Sequence, residues 1–308
     1  MGTPTGMVDA TPAGDNSLGP SAITPVHLPS SRSRPIKIIR PPAFSIRTLL
    51  NGLVTLTHYA DLLYTLSVFR LTVRYKQSLL GWAWAALQPL ALMLIYTILF
   101  TRVTKVATGG IPYPIFVLSA LLPWILFSSS VTNAVTGLTA YPNLLTKMYF
   151  PREIIPFSYL AAAVVDFCIA SVILGLLIIR YKVQLSWTVL YALPIIVLLA
   201  IFAAGTALFF SAIHVRFRDV GLAMPFLLQV WMFTTPVVYS LASVPARFRK
   251  FYLLDPVAGL VESFRSAVLI GKPPDLGMLS YSAAITLVFF VCGYMYFKAS
   301  EATMADVI

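Results

Sequence analysis

The sequence predicts an all-α integral membrane protein: six transmembrane helices, an N-terminal interfacial amphipathic helix, and short re-entrant outer helices between the fifth and sixth spans. Two observations predict it. Apolar residues make up 58% of the 308-residue chain and charged residues only 11%, with a mean hydropathy of +0.84, whereas a soluble domain carries roughly 45–50% apolar and about 25% charged residues. Too little charge remains to build a polar shell, so lipid must cover much of the surface. The apolar residues also gather into six stretches, near 81–102, 115–138, 158–180, 188–212, 222–240 and 279–297. Each can cross about 30 Å of hydrocarbon as a helix, the open-ended fold that satisfies its own backbone there.

In chain order, residues 1–43 are rich in Pro, Ser, Thr and Gly and hold no apolar run of signal-peptide length. They read as a disordered cytoplasmic tail. A cytoplasmic or interfacial helical segment, 44–80, follows. Within it, 60–80 places Leu62, Leu66, Phe69, Val73 and Leu80 on one helical stripe and Ser67, Arg70, Arg74 and Gln77 on the other. That pattern is too polar to span and suits the membrane interface. Residues 81–308 form the transmembrane domain. An even number of spans puts both termini on one side. With a cytoplasmic N-terminus, 13 Lys and Arg fall inside and 9 outside, a bias toward cytoplasmic termini carried mainly by the region before the first span.

Between the fifth and sixth spans, 241–278 is too long for a turn and too apolar for a plain loop. Pro256 suits the first turn of a helix that Gly271, Pro273 and Pro274 end, with Glu262 and Arg265 paired at i, i+3. One or two short helices dipping into the outer leaflet are expected here. Asp166 is the one acid well inside a span, where a charge is costly and marks function by default.

Other chemistry is disfavoured. The net charge of +11 is scattered between apolar runs rather than gathered on one face, so nucleic-acid binding is not expected. Cys168 and Cys292 sit in apolar runs, and His27, His58 and His214 have no ligand spacing, so neither a disulfide framework nor a metal site is implied. A secondary transporter would carry more intramembrane charge or a visible internal repeat. A membrane-embedded glycan-processing enzyme would need clustered carboxylates, and no D-x-D occurs.

Several local strings go further. The run Arg74-Tyr75-Lys76-Gln77-Ser78-Leu79-Leu80-Gly81-Trp82-Ala83-Trp84 continues to Leu87-Gln88-Pro89-Leu90. Later come Leu121-Leu122-Pro123-Trp124, then Asn143-Leu144-Leu145-Thr146-Lys147-Met148-Tyr149-Phe150-Pro151-Arg152-Glu153, and Val215-Arg216-Phe217-Arg218-Asp219-Val220. Asp255-Pro256, Glu262-Ser263-Phe264-Arg265 and the terminal Asp306-Val307-Ile308 complete the series. This ordered set, covering about 60–308, resembles the permeases of the type-2 ABC class that export O-antigen, teichoic acid and capsule. Two departures stand out: a longer tail before residue 44, and Asp255 at a position more often Asn.

The resemblance implies a homodimer working with two copies of a cytoplasmic ABC ATPase in the bacterial cytoplasmic membrane. The cargo it implies is a polysaccharide on an undecaprenyl diphosphate carrier. No G-x-x-x-x-G-K-[ST] loop occurs in the chain, so no cofactor is expected in it, and ATP and Mg belong to the partner ATPase. The segment 143–153, bracketed by Pro142 and Pro151, suits the coupling element: Leu144, Leu145, Met148, Tyr149 and Phe150 offer apolar contact, with Asn143, Lys147 and Arg152 at its rim. Arg218 in the second inner loop would lie near the same partner.

For the cargo, Arg70 and Arg74 suit a lipid diphosphate, since guanidinium forks match phosphate oxygens. Aromatic faces suit the CH surfaces of sugars and hydroxyl or amide groups suit their edges. Tyr96, Trp124, Phe127, Trp231, Phe233 and Tyr239 are therefore channel-lining candidates, with Ser129 and Asn133 on a polar stripe of the second span. Asp255, Pro256, Leu260, Glu262, Phe264 and Arg265 mark an outer gate.

Overall fold

The computed structural model describes Gly2, Gly52, Arg247, Tyr252 and residues 54–101, 110–141, 150–245 and 254–307. The chain divides into two units, Met1–Arg40 and Pro41–Ile308; the described helices all belong to the second. Among the described residues the fold is all-helical. The expected tail, 1–43, lies outside them except for Gly2.

The helices run in the order α1 (Ala60–Tyr75), α2 (Ala83–Leu99), α3 (Tyr113–Gly137), α4 (Ile154–Arg180), α5 (Ala192–Arg216), α6 (Asp219–Thr234), α7 (Pro256–Arg265) and α8 (Leu276–Val307). A short turn of 3-10 helix, Trp187–Tyr191, leads into α5, and a π turn, Ser266–Ile270, continues α7. Four helices are long and apolar enough to cross a membrane: α3, α4, α5 with its leading turn, and α8. At the other two expected spans stand shorter apolar helices of 17 and 16 residues, roughly 24–26 Å at 1.5 Å per residue.

Each shortening has a local cause. The N-terminal part of α2 does not begin at the end of the bundle: Ala85 packs with Leu71 and Tyr75 of α1 against Ala162 of α4. The chain has already covered the first stretch of α4 as α1. At the other end of the bundle, α6 stops at Thr234 because Pro236 follows, with no N–H to continue the ladder.

α1 keeps the expected facing of its stripes only in part: Leu62 and Leu66 pack against the core and Arg74 and Gln77 are exposed, but the middle of the helix is turned. Its polar residues Ser67 and Arg70 are buried against the bundle, while Phe69 and Val73 point outward. In water the opposite would hold. In an apolar surround Ser67 donates to the Leu63 carbonyl of its own helix, Arg70 finds the Tyr159 ring on α4, and Phe69 and Val73 face hydrocarbon. α1 also runs along α4: Arg70 meets Tyr159, and Arg74 and Tyr75 meet Asp166, two turns further on.

α3 is the central helix and is buried over most of its length. It packs against α2, α4, α5, α6 and α7. By contrast α4 and α8 expose apolar faces, including Val172, Leu176 and Ile179 on one and Leu287, Val288 and Val291 on the other. α5 and α8 approach each other closely. A Cβ on Gly293 would lie 2.4 Å from the Gly205 carbonyl oxygen, so two glycines let these backbones touch.

A helix forms with the boundaries expected between the fifth and sixth spans. Pro256 occupies its first turn, and Gly271 ends it at φ 66°, a left-handed conformation that glycine adopts without strain. It packs inside the unit against α3, α5 and α8.

Candidate functional site

A cavity of about 750 Å³ with a partly polar wall is bounded by α1, α2, α3, α4 and α6. One region of its wall is charged. Asp166 accepts hydrogen bonds from Arg74 Nη1 and, at 2.9 Å, from the Tyr75 hydroxyl, so the intramembrane acid is neutralised by the helix packed beside it. Elsewhere the wall is neutral and polar, with Gln88, Ser129, Thr132, Asn133 and Gln229. Trp84, Tyr96 and Trp124 supply aromatic surface. Among the described residues, Arg74 and Asp166 are the only charged side chains lining it.

The channel-lining candidates therefore divide. Tyr96, Trp124, Ser129 and Asn133 border the cavity. Phe127 does not: it is fully buried, with ring centroids 5.5 Å from Phe202 and 5.2 Å from Trp231, because α3 turns that face into the core. Trp231 belongs to the same aromatic group and Phe233 points outward. Tyr239 donates to the Phe233 and Thr234 carbonyls and shares a 2.8 Å hydrogen bond with Tyr252. It closes the turn after α6 and does not border the cavity.

Of the two candidate diphosphate ligands, Arg74 lines the cavity and is one third exposed, while Arg70 is buried. Arg74 is bound to Asp166. Arg70 is buried between the rings of Tyr159 and Tyr141, at 4.3 and 4.5 Å from their centroids, a cation held by aromatic faces. Among the described residues no carboxylate pairs with it.

The group read from the sequence as a gate is held just as firmly. Asp255 caps α7, accepting from the Val257 amide at 3.0 Å and the Thr235 hydroxyl at 2.7 Å. Arg265, 1% exposed, donates to Glu262 at 2.7 Å and to the Pro236 and Val237 carbonyls at 3.0 Å each. Its guanidinium also lies 4.0 Å from the Phe116 ring centroid. Pro256, Leu260 and Phe264 are buried beside it. These contacts pin α7 to the turn that ends α6.

Of the coupling candidates, Asn143, Leu144, Leu145, Lys147, Met148 and Tyr149 lie outside the described residues. Phe150 is buried with Leu138, Ile154, Ile155 and Phe297. Arg152 donates through Nη1 to the Glu301 carbonyl at 2.8 Å, and its amide donates to the Glu301 carboxylate at 3.3 Å. Arg218 stands exposed at the N-cap of α6, with no side-chain capping bond.

Two clusters escaped sequence reasoning. Glu153, 0% exposed, lies 2.8 Å from Lys298, which also holds Glu301 at 2.9 Å, and accepts from Tyr294 at 3.3 Å. His214, at the end of α5, accepts from the Gly221 amide through Nδ1 at 3.1 Å and pairs through Nε2 with Thr139 at 3.1 Å, joining α3, α5 and α6. The partners are up to 145 residues apart, so only the i, i+3 spacing of Lys298 and Glu301 was visible as a signal. Among the described residues no three His, Cys, Asp or Glu side chains converge to hold a metal ion.

The sequence profile of the ABC-2 type transporter membrane family matches residues 61–269, from α1 into the π turn after α7. The chain belongs to that family. This ABC-2 permease is 31% identical over 257 residues to an O-antigen export system permease protein of Myxococcus xanthus, covering 82% of this chain and 97% of the relative. A permease protein of the same description from Klebsiella pneumoniae is 31% identical over 214 residues, 68% of this chain and 81% of the relative. A polysialic acid transport protein of Escherichia coli is 26% identical over 234 residues, 75% and 90% of the two chains. The cavity, α7 and Phe150–Glu153 all lie within the region shared with the ABC-2 family. Lys298 and Glu301 lie beyond it, in α8.

Proposed function

We propose that this ABC-2 permease is the membrane subunit of an ATP-driven exporter of lipid-linked polysaccharide, with undecaprenyl diphosphate as the carrier. The observation that carries the reading is the cavity. A bundle covered by apolar side chains encloses a wall of tryptophan, tyrosine, amide and hydroxyl groups, the surface a sugar chain requires, and relatives are named for O-antigen export and polysialic acid transport. Its chemistry is binding rather than bond making: the one acid in the wall is spent on Arg74 and Tyr75.

In this reading the permease works as a homodimer with two cytoplasmic ATPase subunits that bind ATP and Mg. α2 and α6 complete six crossings of the bacterial cytoplasmic membrane, with both termini inside. The 143–153 segment receives the ATPase, and α7 with its π turn faces the outer side.

Reconstitution decides it. Purified with its ATPase and placed in vesicles loaded with lipid-linked glycan, the permease is expected to translocate the glycan only with ATP and Mg. Translocation driven by a proton gradient without ATP, or an absence of any ATPase partner in the purified complex, overturns the reading.

A further inference from the structure

α8 touches three places that otherwise have nothing in common. Near its N-terminus it meets the outer helix so closely that a Cβ on Gly259 would lie 2.0 Å from the Ser282 hydroxyl. In its middle it touches α5 through Gly293 and Gly205. Toward its C-terminus Lys298 and Glu301 hold Glu153 and Arg152, the last two residues of the segment proposed to receive the ATPase. The helix between these points is continuous over 32 residues, about 48 Å at 1.5 Å per residue. It carries no proline, whereas α2, α3 and α6 carry Pro89, Pro123 and Pro225 in their interiors. It is thus a rod without the usual site of a kink.

The cluster at its C-terminal end is chemically out of place. Phe150, Ile154, Ile155, Tyr294, Phe297 and Met304 make an apolar core there, yet Glu153 and Lys298 sit within it. Apolar packing of the same volume would be at least as stable as such a pair. What the charges add is registry: Glu153 has no other basic partner among the described residues, and its carboxylate also takes the Tyr294 hydroxyl, so one alignment of α4 against α8 satisfies it.

We infer that Glu153, Lys298 and Glu301 are positioning residues of transport, fastening the end of the 143–153 segment to α8 so that α8 carries its displacement to the outer helix. The inference rests on the exporter reading, because it requires an ATPase to move that segment. A helix fixed at both ends is not by itself a transmission path, so the test must read movement at the far end.

Leu254, exposed just before the outer helix, is replaced by Cys in a chain whose Cys168 and Cys292 are Ala. Its rate of maleimide labelling is then measured in the complex with the ATPase, with and without a non-hydrolysable ATP analogue. In the otherwise unchanged complex the nucleotide is expected to shift the rate. In Lys298→Met the shift is lost while the ATPase still co-purifies, and Lys298→Arg, which keeps the charge, restores it. If Lys298→Met does not accumulate in the membrane, Glu301→Gln, which leaves the Glu153 pair in place, is expected to diminish the shift. A full-sized shift in Lys298→Met or in Glu301→Gln, or none in the unchanged complex with its ATPase bound, overturns the inference. A chain that binds no ATPase overturns the exporter reading and this inference with it.

Discussion

Asp166 and Arg74 illustrate how a single side chain inside a membrane protein acquires its meaning from another helix. With Arg74 one third exposed and Asp166 mostly covered, the pair is half-shielded, and its coupling is expected to be about 1–2 kcal/mol rather than that of a deeply buried pair. Asp166→Asn and Arg74→Gln should each lower the unfolding free energy in detergent, and the double substitution should cost less than the sum. Additive losses in that cycle would show that the two charges do not interact. The acid itself was legible in the sequence, because a lone carboxylate in an apolar run is conspicuous. Its partners were not, since they lie 91 and 92 residues away on a helix whose polar stripe was read as facing the interface. A still larger separation, 145 residues, hid Glu153 and its lysine.

At the scale of elements, short-range chemistry was the more legible. Pro256 and Gly271 marked the outer helix because a missing N–H and a left-handed cap are local requirements that no distant contact can supply. Asp255 belongs to this class. Asp255→Asn should keep the cap and change stability by a few tenths of a kcal/mol, whereas Asp255→Ala should cost about 1 kcal/mol or more, since the Val257 amide and Thr235 hydroxyl both lose an acceptor. Equal losses in thermal unfolding would remove the cap from the account. The meeting of α5 and α8 was less legible, because glycine in an apolar run signals close approach without naming the partner. Gly293→Ala should destabilise by about 1–3 kcal/mol by pushing its methyl against the Gly205 carbonyl. Gly175→Ala, where no atom lies within 4 Å of the added carbon, should be neutral or gain up to about 1 kcal/mol from helix propensity. Matching losses at both sites would trace the effect to glycine itself rather than to the contact.

For the whole molecule, composition announced a membrane protein, but the number of crossings depends on α2 and α6. A helix of 16 residues is shorter than the hydrocarbon it would have to cross at full thickness, and a short span is accommodated by local thinning of the bilayer or by flanking residues that reach the interface. Arg216 and Arg218 on one side of α6, and Tyr239 and Ser243 on the other, supply such flanks. α6 is therefore expected to cross. Ser243 and Arg218, both exposed, lie beyond its two ends and can be converted singly to Cys in a chain lacking Cys168 and Cys292. In intact cells a membrane-impermeant maleimide should label Ser243→Cys but not Arg218→Cys, and in inverted vesicles the pattern should reverse. Labelling of both positions from one side would make α6 re-entrant and reduce the crossings below six. Opposite-sided labelling with the sides exchanged would keep the six crossings and place the termini outside, against the Lys and Arg bias. That bias is 13 to 9 and rests mainly on residues before α2, so the labelling pattern is the stronger determinant of orientation. It also fixes which end of α8 meets the ATPase: cytoplasmic labelling at Arg218 puts the Glu153 and Lys298 cluster on the ATPase side.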